Sequence, residues 1–249
     1  MLPSTTLKLA LIIPAYNEEA YLSATLASAK TALADFDSQL IVVDNNSTDN
    51  TPEIAREHGA TVIFEPVNQI ARARNAGAHH AIASGRAPEA LVFLDADTHL
   101  PVETLVQAME HLRSREICGG GAIIISDRPF PVFVRGMLAT WNRTSTSLGL
   151  AAGSFLFCPA QAFLDTGGFD ERVFAGEEIW FSRALKKWGR NNRRRHFPIV
   201  SAPPVITSAR KGDMFGSPVI ALQLFAILLC PWITRSRRLC PVWYQRPKD

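Results

Sequence analysis

Short apolar runs alternate with helix-compatible stretches through the first hundred residues of this chain, and that alternation limits its fold more than any other feature. Leu9–Ile13, Leu40–Val43, Thr61–Phe64 and Leu91–Leu94 are continuous aliphatic or β-branched runs bounded by turn residues, the pattern of strands buried on both faces. Helical stretches lie between them, at about Glu18–Leu33, Thr51–His58, Ile70–Ser84 and Pro101–Leu112. Asp49-Asn50-Thr51-Pro52 is a helix start with proline just inside it. Strands alternating with helices make βαβ units and a parallel sheet with right-handed crossovers. A (β/α)8 barrel would need the alternation to continue, and it breaks after Gly119. Beyond that point Gly121–Ser126 and Ser154–Cys158 read as strands, with a helical stretch at about Val132–Ser147 between them. The expectation is one α/β domain over residues 1–216, a mostly parallel central sheet flanked by helices. Residues 217–249 form a C-terminal helical extension and not a second domain.

Composition narrows the class. The chain has 249 residues, 47% hydrophobic and 20% charged, which is globular, not disordered or fibrous. Its four cysteines form no CxxC pair, so neither a zinc site nor a disulfide framework is expected and a reducing cytoplasmic setting is. The Leu9–Ile13 run is too short for a signal peptide. A net charge of +3, with no aromatic-interleaved basic motif, excludes nucleic acid as the expected partner. Residues 219–230 are apolar except for Gln223. As a helix they would span about 18 Å, short of the roughly 30 Å hydrocarbon core. Such a helix packs on the domain, or lies on an anionic membrane surface beside Trp232, Arg235, Arg237, Arg238, Trp243 and Tyr244. The second reading puts the protein at the inner face of the cytoplasmic membrane.

Ligands of open parallel sheets bind outside the carboxyl ends of the strands. Three strands end there in acidic or amide-rich loops: Pro14-Ala15-Tyr16-Asn17-Glu18-Glu19, then Asp44 to Thr51, then Asp95-Ala96-Asp97. Asp and Asn also serve as caps and turn formers, which suffices for Asp44 alone. The Asp95/Asp97 pair, directly after a buried run, calls for a cation. Mg2+ or Mn2+ answers that need while keeping positions open for substrate phosphates. His79-His80 are adjacent on a helix, diverge, and are poor co-ligands.

In combination these segments resemble a family 2 glycosyltransferase of the GT-A fold. The resemblance rests on IIPAYNEE (Ile12 to Glu19), VVDNNSTDNT (Val42 to Thr51), ARARNAGA (Ala71 to Ala78), FLDADTHLP (Phe93 to Pro101) and GGFDERVFAGEEIWFSRAL (Gly167 to Leu185). It covers roughly residues 8 to 190, with a nucleotide-binding half at about 8–115 and an acceptor half at about 116–216. It implies that Pro14, Tyr16 and Glu18 line the nucleotide pocket, with Ala15 and Asn17 in the same loop. It implies that Asp44 contacts the base with Asn46 nearby, and that Arg72 lies near the base or phosphates. Asp95 takes the ribose side next to Ala96, and both Asp95 and Asp97 belong to the metal site, Asp97 as its main ligand. Asn75 caps or orients. The donor would be a UDP- or GDP-sugar with Mn2+ or Mg2+, and the acceptor a lipid-linked or small molecule. The family's Glu-Asp base pair is Glu177-Glu178 here, followed by Trp180, so Glu178 is the base by register and Glu177 the alternative. The implied reaction is a metal-assisted direct displacement with inversion, moving one sugar. Arg210 or Lys211 would clamp the diphosphate. Arg183 to Arg195 is a solvated face or a site for an anionic acceptor. A non-catalytic nucleotide- or sugar-binding protein on this scaffold is the second reading. A nucleotidyltransferase is the third, and the glycine-free acidic PAYNEE loop argues against it.

Overall fold

The computed structural model describes residues 7–129, 132–210 and 230–244. Strands β1 (Leu9–Ala15), β2 (Ser38–Asp44), β3 (Thr61–Phe64) and β4 (Ala90–Leu94) are joined by helices α1 (Leu22–Leu33), α2 (Thr51–Glu57) and α3 (Ile70–Ala83). The four strands pair in parallel in the order β3-β2-β1-β4. Their carboxyl ends, Ala15, Asp44, Phe64 and Leu94, therefore share one edge. β5 (Thr98–His99), α4 (Val102–Arg113), β6 (Gly120–Ser126), α5 (Val132–Leu148), β7 (Phe155–Pro159), α6 (Ala160–Thr166), α7 (Glu177–Asn191) and β8 (Ile199–Thr207) follow. The eight-stranded sheet continues from β4 in the order β7-β6-β8-β5. β7 runs antiparallel to both β4 and β6, and β8 parallel to β6.

Two apolar layers sandwich this sheet. Leu9, Leu11, Ile13, Val92 and Leu94 face α1 and α4, with Leu26, Leu105 and Met109 among the buried partners. Ala10, Ile12, Leu91 and Phe93 face the other way, with Ala78 of α3 and Phe163 and Phe181 of α6 and α7. Gly77 fits there because a Cβ would lie 2.5 Å from Ile12 Cγ2 and 2.8 Å from Val43 Cγ2. Only hydrogen lets α3 approach the sheet so closely.

Three elements differ from expectation. α1 begins at Leu22, not Glu18, and the Glu18 carbonyl accepts from the Tyr21 and Leu22 amides (3.0 and 2.9 Å) in the turn that leads into it. β5 and β8 are strands that the sequence pattern does not announce. α7 runs to Asn191. Residues 219–229 of the expected apolar helix, and Lys211, lie outside the described residues. After them come two short 3-10 turns, Pro231–Arg235 and Arg237–Leu239, and helix α8 (Pro241–Tyr244). The turn at 231–235 rests on the domain, with the Phe174 amide donating to the Thr234 carbonyl and Tyr244 edge-on to Phe174. No helix among the described residues is long and apolar enough to cross a membrane.

Candidate active site

The loops after β1 and β2 are laced together before any ligand is considered. Asn17 and Asn46 adopt left-handed backbone (φ 51 and 70), which asparagine tolerates better than most residues. Asn17 accepts from the Thr48 amide (2.9 Å), and its own amide donates to Ser47 Oγ (3.1 Å). The Glu18 amide donates to Thr51 Oγ1 (2.7 Å), and Glu19 accepts from Asn50. Asp44 accepts from the Ser47 amide (2.9 Å), as a turn former does. Asn45 accepts from the Gln69 amide and donates to the Glu65 and Val67 carbonyls, fixing the start of α3.

A cleft opens above these loops. Pro14, Ala15, Tyr16, Glu18, Asn45, Asn68, Ile70, Asp95, Ala96, Asp97 and Arg210 line it. Expected residues Pro14, Ala15, Tyr16, Glu18, Asp95, Ala96, Asp97 and Arg210 are thus brought together. Asn17, Asp44 and Asn46 sit in the supporting loops instead, and Asn45 and Asn68 take the wall. Arg72 is not in the wall: it is half-exposed and held by Glu65 and Glu171 at 3.1 and 3.0 Å.

Two buried arginines organise the charge. β5 starts beside Asp97 and pairs antiparallel with the end of β8, so the chain leaving β8 runs alongside Asp97. The Ser208 amide donates to the Asp97 carbonyl and the Ala209 amide to Asp127 (3.1 and 2.9 Å). This delivers Arg210 into the cleft, where both its terminal nitrogens bond Glu18 and one lies 3.0 Å from Asp97 Oδ2. The guanidinium also covers the Tyr21 ring at 4.9 Å. Burial alone would depress its pKa, but the Glu18 bond and the Asp97 charge outweigh burial and raise it.

Arg74 of α3 is the second arginine. It donates to Asp95 (2.9 Å), to Glu177 (2.7 Å) and to the Gly153 carbonyl (3.0 Å), and lies over Phe169 at 5.2 Å. One guanidinium thus ties Asp95 to the first turn of α7. It faces a second depression, lined by Ile70, Arg74, Asp95, Ile124, Trp141, Ala152, Gly153, Ser154, Glu177 and Glu178. Asp95 and Ile70 border both depressions. Glu177 is 3% exposed and committed to Arg74, whereas Glu178 is half-buried on the wall. Desolvation, reinforced by the Glu177 charge and opposed by Arg74, raises the Glu178 carboxyl to about 8. Asn75 braces this side through a reciprocal pair with the Phe169 backbone, both bonds 2.9 Å.

A divalent cation has a plausible chemistry here. Arg74 holds Asp95 Oδ1 and Arg210 holds Asp97 Oδ2, which leaves the other oxygen of each carboxylate. Two carboxylates completed by substrate phosphates and water is a set that Mg2+ uses. Among the described residues no three His, Cys, Asp or Glu side chains converge on a metal centre, so a cation here would take its remaining ligands from substrate phosphate or water. The donor set fits on those terms.

Residues 10–163 match the sequence model described as Glycosyl transferase family 2. An uncharacterized glycosyltransferase of Mycobacterium tuberculosis is 32% identical over 121 residues, 49% of this chain and 48% of that protein. Dolichol-phosphate mannosyltransferase of Pyrococcus furiosus is 30% identical over 111 residues, 43% of this chain and 31% of that protein. The chain thus spans about half the length, or less, of these curated relatives. Among solved structures, a mannosyltransferase of Pyrobaculum calidifontis in complex with GDP-Man and Mn2+ superposes with TM-score 0.68 at 19% identity, over 94% of this chain and 64% of that one. Glucosyl-3-phosphoglycerate synthase of Mycobacterium tuberculosis, in complex with Mn2+, UDP and glucosyl-3-phosphoglycerate, gives 0.61 at 19%, over 90% and 79%. At these identities the likeness is one of fold.

Proposed function

Because this chain belongs to glycosyltransferase family 2, we propose that it transfers one sugar from a nucleoside-diphosphate sugar to an acceptor hydroxyl, with inversion at the anomeric carbon. The nucleotide lies in the cleft between Tyr16, Glu18, Asn45 and Asn68, and its diphosphate extends toward Asp95 and Asp97. The acceptor enters the depression under Trp141, where Glu178 takes the proton from the attacking hydroxyl. The observation that carries this reading is that Asp95 borders both depressions, so donor and acceptor meet at one carboxylate. Glu178 suits the base better than Glu177 because it is not spent on Arg74 and its raised pKa brings it close to working pH. Arg74 holds Asp95 and Glu177 in register. A divalent cation at Asp95 and Asp97 would supply Lewis-acid neutralisation of the leaving diphosphate.

The two solved neighbours hold GDP-Man and UDP respectively, so both donor classes enter the test. Calorimetric titration of UDP, GDP, CDP and dTDP, each with Mn2+ and with EDTA, is expected to show one nucleotide binding in a metal-dependent way. Absence of binding by all four would remove the donor assignment. The acceptor is proposed as a lipid-linked or small molecule. Exposed Trp232 and Leu239 beside exposed Arg235, Arg237 and Arg238 support peripheral contact with an anionic membrane surface.

A further inference from the structure

We propose that Arg210 and a divalent cation are alternative occupants of Asp97: without metal the guanidinium neutralises Asp97, and metal binding turns it off that carboxylate toward the donor diphosphate. The inference deepens the donor-site reading above and rests on it.

Glu18, Asp97 and Arg210 form a nearly closed group, their side chains 4%, 8% and 11% exposed. Two carboxylates share one guanidinium, and the donor cleft passes over all three. A divalent ion on the open Oδ1 of Asp97 would stand within a few ångströms of the guanidinium on Oδ2 in a poorly screened place, so the two cations repel although they use different oxygens of one carboxylate. Arg210 can yield without being stranded, because Glu18 holds both of its terminal nitrogens independently of Asp97. Arg210 Nε is moreover buried without a hydrogen-bond partner. A buried donor left unmade is costly, and a phosphate oxygen in the cleft is the acceptor that would complete it. Arg74 Nε is likewise buried without a partner, but its terminal nitrogens are bound differently. They have a backbone carbonyl and two carboxylates on separate elements, and Arg74 serves as a fixed brace for Asp95.

The test is a calorimetric titration of Mn2+ alone into the full chain, comparing wild type with Arg210→Met, Arg210→Lys and Asp97→Asn, then repeating it with UDP and with GDP. Competition for one carboxylate is a coupling free energy that commonly amounts to about 5- to 150-fold. Arg210→Met is therefore expected to bind Mn2+ at least about tenfold more tightly than wild type in the nucleotide-free protein. Arg210→Lys, whose single ammonium cannot fork between Glu18 and Asp97, should fall between, and Asp97→Asn should bind none. Mn2+ should also raise the thermal midpoint of Arg210→Met more than that of wild type. Equal Mn2+ affinity in wild type and Arg210→Met, with binding still lost in Asp97→Asn, would overturn the exchange and leave the donor-site metal intact. No Mn2+ binding by any form, with or without UDP or GDP, would overturn both. If Arg210→Met does not fold, Arg210→Lys decides, and an affinity equal to wild type refutes the exchange.

Discussion

Glu178 carries a prediction with two signs to it. Its carboxyl titrates near 8 in the folded chain, against 4.5 for the free side chain. As the proposed base it must be ionised, so kcat/KM is expected to rise with pH along a limb near 8, and Glu178→Gln to lower kcat by about 10²–10⁴ with donor affinity unchanged. Normal turnover in that variant would move the base elsewhere. For stability the raised pKa acts the other way. The neutral form is preferred in the fold, so its contribution is complete below 4.5 and is lost as pH climbs through about 8. Glu178→Gln should accordingly gain on wild type between pH 5 and 9, by on the order of 2 kcal/mol once solvent screening of its exposed part is allowed for. Denaturant melts at both pH values check this. The acidic loops of this site are legible in the sequence because strand ends announce them. Arg74 is the residue that sequence reading passes over in favour of Arg72. The signal existed: Ala71, Arg74, Ala78 and Ala81 form an i, i+3, i+7, i+10 stripe on the buried side of α3. That stripe points Arg74 inward and leaves Arg72 to Glu65 and Glu171.

At the scale of elements, α3 is both wall and instrument, since it carries Arg74 and Asn75 and is seated by Gly77. Replacing a mid-helix glycine by alanine ordinarily stabilises by about 1 kcal/mol. Here the added methyl meets Ile12 and Val43, and overpacking of that kind costs about 1–3 kcal/mol. Gly77→Ala is expected to be net destabilising in urea unfolding and to depress turnover by shifting Arg74 against Asp95. A stabilised Gly77→Ala would show that α3 has slack. β1, β2 and β4 were readable because each contains an unbroken apolar run that the sheet buries, and β3 because its run is rich in strand formers, although at the sheet edge its Thr61 and Phe64 are exposed. β8 was not, because Pro203 and Pro204 interrupt it and proline argues against an internal strand. The fold accommodates them where the β6–β8 register shifts, between Ala122 and Ile124. The Ala202 and Pro203 carbonyls are taken by Gln107 and Thr104 of α4 (2.7 and 2.6 Å). Such a rescue depends on partners about a hundred positions away, which no local pattern contains. β5, two residues long, is defined by its pairing with β8 and has no pattern of its own.

For the whole molecule, the question is what covers the exposed flank of the C-terminal segment. Trp232 is 70% and Leu239 53% exposed, while Thr234, Cys240 and Tyr244 are buried against the domain. Among the described residues, one side is therefore packed and the other exposed. Trp232→Ala combined with Arg238→Ala and Leu239→Ala is expected to reduce co-sedimentation with anionic vesicles about tenfold, since a basic residue near such a surface contributes about 1 kcal/mol and the apolar pair adds to it. Unchanged sedimentation would mean that the flank serves some purpose other than lipid contact.

The pair Glu18–Arg210 joins positions 192 residues apart, and Arg74–Glu177 joins positions 103 apart. Closing loops of that size is entropically costly, and contacts of high separation form slowly. The βαβ half can pair its strands with neighbours close in sequence and gives Asp95 its counter-charge from Arg74, but Glu18 and Asp97 wait for Arg210. The proposed nucleotide affinity would thus be a late-assembled property: it would report that the polypeptide has folded as far as residue 210, and a refolding chain would regain its secondary structure before its ability to bind.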